Sequence, residues 1–219
     1  MEELLFDRIR MKISDAQFRV STDSMVLADF CRIRPGGRVL DLGCGCGTLG
    51  LLLLGADETL HVSGIEIQEA AARQAQENAE ENGFSAHMHI ICGDLRQAHA
   101  QIAPGTFDYV LSHPPYYPPK SGYLHAQDSL CAARSEICCP FDALCAAAAR
   151  ALRWGGRFFL VHKPERLVDL LTGLRAARLE PKRIRFVRHR AETAVNLVLI
   201  ESRLGGGPGL QYEPDLILY

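Results

Sequence analysis

Four apolar runs in this 219-residue sequence each end in groups able to do chemistry. Val39-Leu40 runs into Asp41, and His61-Val62-Ser63-Gly64-Ile65 runs into Glu66. Residues 86–92 lead to Gly93-Asp94-Leu95, and residues 107–112 lead to His113-Pro114-Pro115-Tyr116. Three of these ends carry a carboxylate, which pairs with cations or accepts hydrogen bonds in a fork. The fourth carries an imidazole and a phenol around two prolines. Proline lacks a donor and fixes φ, so that stretch belongs to neither a helix nor a sheet interior.

Behind Asp41 lies Leu42-Gly43-Cys44-Gly45-Cys46-Gly47, with glycine at every second position, and then an apolar run from Leu49 to Leu54. This reads as strand, tight turn and helix start. Glycines let the backbone take positive φ and approach a ligand closely. The helix start behind them suits a carboxylate or phosphate. The spacing is not G-x-G-x-x-G, the register sized for a pyrophosphate. A carboxylate ahead of the first glycine would also repel a phosphate. A ligand with both an ammonium and a carboxylate fits better, as on the methionine end of S-adenosylmethionine.

These groups need elements to hold them. Strands are predicted at about 38–41, 60–67, 86–92, 107–112 and 157–162, with helices after the glycine turn, at 68–82, 141–152 and 164–178. Two final strands, 182–190 and 194–203, have no helix between them and are expected to pair antiparallel. Strand and helix alternate from residue 38 to 178, which predicts an α/β fold: a Rossmann-like, seven-stranded, mostly parallel sheet with an antiparallel C-terminal hairpin and helices on both faces. Ligands of such sheets bind beyond the carboxyl ends of the strands, where all four chemical groups fall. Ahead of this unit, residues 8–20 alternate as a small hairpin would, and Ser21 to Ser24 supply N-caps for a helix through Ile33. The expected division is a hairpin and capping helix at 1–34 and a single globular unit at 35–219.

Composition is that of an ordinary globular protein, 47% hydrophobic and 23% charged, with a formal net charge of −2. Any nucleic-acid contact must therefore come from a local patch. Lys182-Arg183-Ile184-Arg185-Phe186-Val187-Arg188-His189-Arg190 is such a patch. It reads either as a charged edge strand or as a phosphate-contacting surface, which Lys120 and Arg134 near the Pro-Pro loop would extend. No run is long enough to span a membrane, and the acidic start lacks a signal peptide's order, so a cytoplasmic protein is expected. Eight cysteines include no Cys-x-x-Cys pair, and no metal is expected.

With these residues in view, the chain resembles class I S-adenosylmethionine-dependent methyltransferases over nearly its whole length. Pro114-Pro115-Tyr116 resembles the Asn/Asp-Pro-Pro-Tyr motif of enzymes that methylate planar amino groups. Residues 18–24 (FRVSTDS), 133–136 (ARSE), Gly209-Leu210 and 216–219 (LILY) resemble the bacterial tRNA1(Val) adenine-N6 methyltransferase family. The resemblance implies a role for each residue. Gly43, Gly45 and Gly47, with Cys44 between them, line the methionine end, and Asp41 meets its ammonium. Thr22 or Asp23 borders its amino-acid end. Glu66 takes the ribose hydroxyls, and Asp94 and the Leu95 N–H bind the adenine. The residue at position 113 and the Pro114 carbonyl accept from the target amine, and Tyr116 stacks on the target base.

Position 113 departs from the motif, with His in place of Asn or Asp. A neutral imidazole offers one acceptor nitrogen in one tautomer, and a protonated one offers none. Three readings stay open: a working substitute, a different substrate, or a cofactor- and RNA-binding module whose catalysis is lost. The implied function is methyl transfer to an adenine N6 in tRNA, by a monomer or weak dimer. Methylation of a protein glutamine at N5 is the enzymatic alternative.

Overall fold

The computed structural model describes residues 2–5, 9–12, 21–116 and 140–219. Two short strands, β1 (Glu2–Leu5) and β2 (Ile9–Lys12), form an antiparallel hairpin. The helix α1 (Thr22–Phe30) follows, capped by the Ser21 side chain, which accepts from the Ser24 N–H. Then come β3 (Arg38–Leu42), α2 (Thr48–Ala56), β4 (His61–Glu66), α3 (Glu69–Glu81), β5 (Met88–Cys92) and β6 (Phe107–Ser112). After them lie α4 (Phe141–Ala151), β7 (Leu152–His162), α5 (Leu167–Ala176), β8 (Leu179–Arg188) and β9 (Leu197–Leu204). Two-residue strands, β10 (Gln211–Tyr212) and β11 (Leu216–Ile217), follow, and short 3-10 turns lie at Leu95–Ala100 and Pro164–Arg166.

Seven long strands form the sheet in the order β5-β4-β3-β6-β7-β9-β8. The run from β5 to β7 is parallel, and β9 is antiparallel to both of its neighbours. The chain reverses direction across the sheet between β3 and β6, and at such a switch point the connections diverge and leave a crevice. Side chains alternate across the sheet. Val39, Tyr109, Leu111, Phe159 and Val161 pack with α1, α2 and the hairpin residues Ile9 and Met11. Leu40, Leu42, Val110, Phe158 and Leu160 pack with α4 and α5 on the other face. The helices fit these roles: α2 buries Leu49 to Leu54 on all sides, whereas α3 buries a stripe of Ala71, Ala72, Ala75 and Ala79. Among the described residues, no helix is long and apolar enough to cross a membrane.

The fold class stands as read from the sequence, and two expectations change. First, a hairpin not read from the sequence stands ahead of the expected one: Ile9–Lys12 pairs with Glu2–Leu5, whereas the hairpin expected over 8–20 falls largely on residues 13–20, outside the described set. The other edge of β2 meets Asn78 on α3 and Asn82 at the C-cap of that helix. Asn82 Oδ1 accepts from the Arg10 N–H at 2.9 Å, and Asn78 Oδ1 accepts from the Lys12 N–H at 2.9 Å. The Asn78 amide also donates to the Lys12 and Cys46 carbonyls, both at 3.1 Å, which ties the hairpin to the glycine turn.

Second, the basic strand β8 is not a bare edge. Both β10 and β11 add to it in parallel, and its guanidiniums hold them. Arg183 is 5% exposed. It donates to Glu201 at 2.7 Å, to Glu213 at 2.9 Å and to the Phe30 carbonyl at 2.6 Å. Arg185 donates to the Pro214 carbonyl at 3.1 Å, and Arg188 to Asp215 at 2.6 Å. The expectation of a phosphate contact at Arg183 is therefore corrected: a charge this deep needs its protein partners. Arg185 and Arg188 are tied to the tail, whereas Arg190 is exposed. Lys120 and Arg134 lie outside the described residues.

Candidate active site

The strand registers bring the chemical groups together. Asp41 lies level with Gly64 on β4 and Leu111 on β6, and Glu66 lies level with Cys92 on β5. Asp41, Glu66, Asp94 and His113 thus emerge at one edge, the carboxyl end of the parallel strands, on both sides of the switch point.

The Gly43–Gly47 turn is built by the sequence just behind Asp41. Gly43, Gly45 and Gly47 all have positive φ, between 54° and 86°, where a Cβ would strain the backbone. Their surroundings differ. Gly43 is exposed, with no atom within 4 Å of where a Cβ would stand. Gly47 turns inward, where a Cβ would meet Met88 at 2.8 Å and Ala75 at 3.2 Å. Gly43 is thus the cradle, and Gly47 serves close packing of the turn on α3 and β5. Cys44 is buried with its Sγ against Gly64.

Asp41 is 1% exposed, and neither carboxylate oxygen has a hydrogen-bond partner among the described residues. Burial, with a smaller push from Glu66, raises its pKa from an ordinary 3.8 to about 8. A buried carboxylate without donors calls for a cation to complete it. Glu66 is 7% exposed and already braces the turn, accepting from the Gly45 N–H at 3.0 Å and the Gln68 N–H at 2.8 Å. One bond to each oxygen leaves lone pairs for two further donors. Asp94 is held by Arg96 at 2.5–3.0 Å, which lowers its pKa. Leu95 beside it is half-buried, and Thr22 is exposed on the first turn of α1. An orphaned acid, a glycine cradle and a carboxylate with spare acceptors fit a ligand carrying an ammonium, a carboxylate and vicinal hydroxyls, as S-adenosylmethionine does.

On the other side of the switch point, the Pro-Pro loop meets α1. Tyr116 Oη donates to Asp23 Oδ2 and lies 2.9 Å from His113 Nε2. The phenol has one proton, and the carboxylate takes it, so Oη accepts from an Nε2–H. His113 Nδ1 is then unprotonated and accepts from the Ser24 hydroxyl at 3.0 Å. Burial lowers the pKa of His113, with Lys163 acting in the same direction and Asp23 opposing, so the ring is neutral at pH 7. The Tyr116 ring lies edge-on to His162 at 5.2 Å, with the Lys163 ammonium 5.1 Å from its centroid. His162 is 3% exposed, and its pKa is pushed down to about 4 by burial first and Arg166 next.

The sequence reading places His113, Pro114, Pro115 and Tyr116 in one loop, and the structure keeps them at the site edge. It also adds partners the sequence did not connect. Ser24 had a signal only as an N-cap candidate, 89 residues from the imidazole it contacts. Thr22 or Asp23 is expected at the cofactor's amino-acid end, and the Asp23 carboxylate accepts from Tyr116. His162 and Lys163 had no signal beyond their position at the end of a strand. The expected imidazole acceptor also meets a complication, because both of its nitrogens are engaged by protein groups.

Comparison with known proteins follows the same lines. A family model described as methyltransferase small domain matches residues 16–172. A Dickeya chrysanthemi protein named tRNA1(Val) (adenine(37)-N6)-methyltransferase is 33% identical over 190 residues, spanning 86% of this chain and 74% of that one. A Porphyromonas gingivalis protein of the same name is 32% identical over 205 residues, spanning 90% and 79%. Among solved structures, a predicted O-methyltransferase from Agrobacterium tumefaciens superposes with a TM-score of 0.73 at 21% identity, covering 90% of this chain and 87% of that one. Geranyl diphosphate C-methyltransferase from Streptomyces coelicolor superposes with a TM-score of 0.61 at 13% identity, covering 83% and 76%. At those identities the two structures speak to the fold.

Proposed function

The chain belongs to the methyltransferase small domain family, and we propose that it transfers a methyl group from S-adenosylmethionine to the N6 amino group of an adenine in tRNA. One observation carries the reading: an orphaned buried carboxylate, Asp41, stands beside a glycine cradle, and a Pro-Pro-Tyr loop leaves the neighbouring strand. The names of the relatives support tRNA as the substrate, and a cytoplasmic location is part of the same proposal.

Asp41 would hold the cofactor's ammonium, Gly43 and Gly45 its methionine end, Glu66 its ribose hydroxyls, and Asp94 with Leu95 its adenine. Bound there, the cofactor supplies an electrophilic methyl group on sulfur. The chain's own residues prepare the acceptor. An adenine amino group is conjugated with its ring, so its nitrogen lone pair is a poor nucleophile. An acceptor on each of its two N–H groups draws the nitrogen toward a pyramidal geometry and frees the lone pair. The Pro114 carbonyl serves one N–H and neutral His113 the other. Tyr116 stacks on the base, a contact worth on the order of 1–3 kcal/mol, and a loop adenine leaves its stack at small cost.

A second reading is favoured by one observation, that the two His113 nitrogens are already engaged. It describes a cofactor- and RNA-binding protein without transfer. The test incubates tritiated S-adenosylmethionine with bulk tRNA and total protein from cells lacking this chain. Label recovered in tRNA as N6-methyladenine supports the first reading. Label in protein glutamine replaces it with the protein substrate. Cofactor binding with no label in either pool supports the second.

A further inference from the structure

Asp offers an amine two accepting oxygens and Asn one accepting amide oxygen, whereas a neutral imidazole accepts only at the nitrogen without a proton. A histidine at position 113 therefore needs something to decide where its proton sits. We propose that Asp23 and Ser24, consecutive in the first turn of α1, are positioning residues for His113. Asp23 acts through Tyr116 to keep the ring proton on Nε2, and Ser24 occupies the Nδ1 lone pair until the target amine replaces its hydroxyl. This rests on the reading of the loop as a methyl-acceptor site.

The contacts form one directed chain. The Ser24 hydroxyl donates to Nδ1, Nε2–H donates to Tyr116 Oη, and Oη–H donates to the Asp23 carboxylate. Each group has one proton to give, and the carboxylate at the end has none, so the direction runs one way through the whole chain. Asp23 Oδ2 also lies 3.8 Å from Nε2, which favours the proton on that side of the ring. The groups facing His113 are Asp23 from α1, Tyr116 from its own loop, and His162 and Lys163 from the end of β7. The Lys163 ammonium disfavours a second positive charge nearby, and the neutral ring keeps its lone pair. If the proton moved to Nδ1, a donor would face the amine's own donor, and the acceptor would be lost.

Exchange at Nδ1 is one for one. Ser24 is 7% exposed, and its Oγ lies 3.4 Å from the Ser21 hydroxyl, a partner to which it can turn. An entering N–H then replaces the serine O–H, and neither Nδ1 nor the serine is left unsatisfied, so the substitution carries little cost.

The experiment reads the ring directly, in cofactor-free and RNA-free protein labelled with nitrogen-15 at histidine. Above its titration, His113 should show an Nε2–H and an unprotonated Nδ1. Asp23→Asn should release the tautomer toward a mixture and lower the His113 pKa, because a nearby negative charge is gone. Tyr116→Phe cuts the same chain without touching α1 and should release the tautomer as well. Ser24→Ala should keep the tautomer and raise the pKa, because it removes a donor made only to the unprotonated nitrogen. Opposite shifts of about half a pH unit each are expected, and Ser24→Thr should restore the parent titration. In single-turnover transfer, the acid limb should move with each shift. A parent ring protonated on Nδ1, or Asp23→Asn and Ser24→Ala shifts of the same sign, overturns the proposal. A parent that labels no RNA while its ring behaves as expected overturns the functional reading and leaves the proton placement standing.

Discussion

Replacing Asp41 by Asn tests the cofactor site without any substrate. The folded protein holds this carboxyl protonated up to about pH 8, whereas an ordinary aspartate ionises near 3.8. The sign follows from proton counting. Below about pH 4 both the folded and unfolded chains carry the proton, and the group contributes nothing. Between pH 4 and 8 the unfolded chain loses it and the folded chain keeps it, so stability falls with rising pH by ~1.4 kcal/mol per unit. At pH 7 the accumulated cost is on the order of 4 kcal/mol. Asn has no such slope. The ligand-free Asp41→Asn protein should therefore match the parent near pH 4 and exceed it increasingly toward pH 8. For a chain of this size the gain at pH 7 is roughly 10 °C in melting temperature. Binding should show the converse. An ammonium favours the ionised acid, so the parent should release close to one proton per cofactor bound at pH 7, measured by calorimetry in buffers of different ionisation enthalpy. Its affinity should rise with pH up to about 8. Asp41→Asn should bind more weakly and release none. A stability difference that stays flat from pH 4 to 8 would refute the reasoning, as would parent binding without proton release.

Glu66→Ala should weaken S-adenosylhomocysteine binding by ~1.5–3 kcal/mol in calorimetry, the loss expected of hydrogen bonds to a charged group; unchanged affinity would remove Glu66 from the ribose role. Gly64→Ala would set a Cβ 2.6 Å from Cys44 Sγ and 2.9 Å from Ile90; the overpacking should cost ~1–3 kcal/mol in denaturant unfolding. Arg183→Leu leaves Glu201 with one guanidinium partner, Arg157, and should destabilise by ~3–5 kcal/mol. Arg190→Ala should leave stability unchanged and lower the log–log salt slope of tRNA binding by about one; an unchanged slope would take Arg190 off the RNA surface.

The parallel sheet and its carboxyl-end groups were legible because each strand announces itself locally. A short, mostly apolar stretch runs up to Asp41, Glu66 or His113, and the alternation with helices sets the topology. What stayed hidden depends on partners far away in sequence. Nothing within residues 8–20 says that β2 pairs backwards, because the groups that hold it include Asn78 on α3 and Asn82 at its C-cap. The basic strand read as an edge because β10 and β11 are two residues each and follow a glycine-rich stretch, too short to show a period. Arg183 then looked free when Glu201 and Glu213 neutralise it. The Ser24–His113–Tyr116–Asp23 chain spans some ninety residues, so each member was visible and their connection was not.

The tail of the sequence stands behind the active site. Glu213 bridges Arg32 and Arg183, and Arg183 in turn grips the carbonyl of Phe30, the last residue of α1. The other end of that helix carries Asp23 and Ser24. During synthesis α1 leaves the ribosome about 180 residues before Glu213 does. Before Glu213 emerges, the Phe30 end of α1 can meet Arg183 of β8 but lacks the bridge from the tail that ties Arg32 to Arg183. The cofactor turn, complete once β3 to β5 have been made, can assemble much earlier. The order of synthesis thus makes the glycine turn available first and the tail's brace on α1 last. Ribosome-stalled chains lacking residues 205–219 should accordingly bind S-adenosylhomocysteine while holding the His113 ring less firmly than the full chain does.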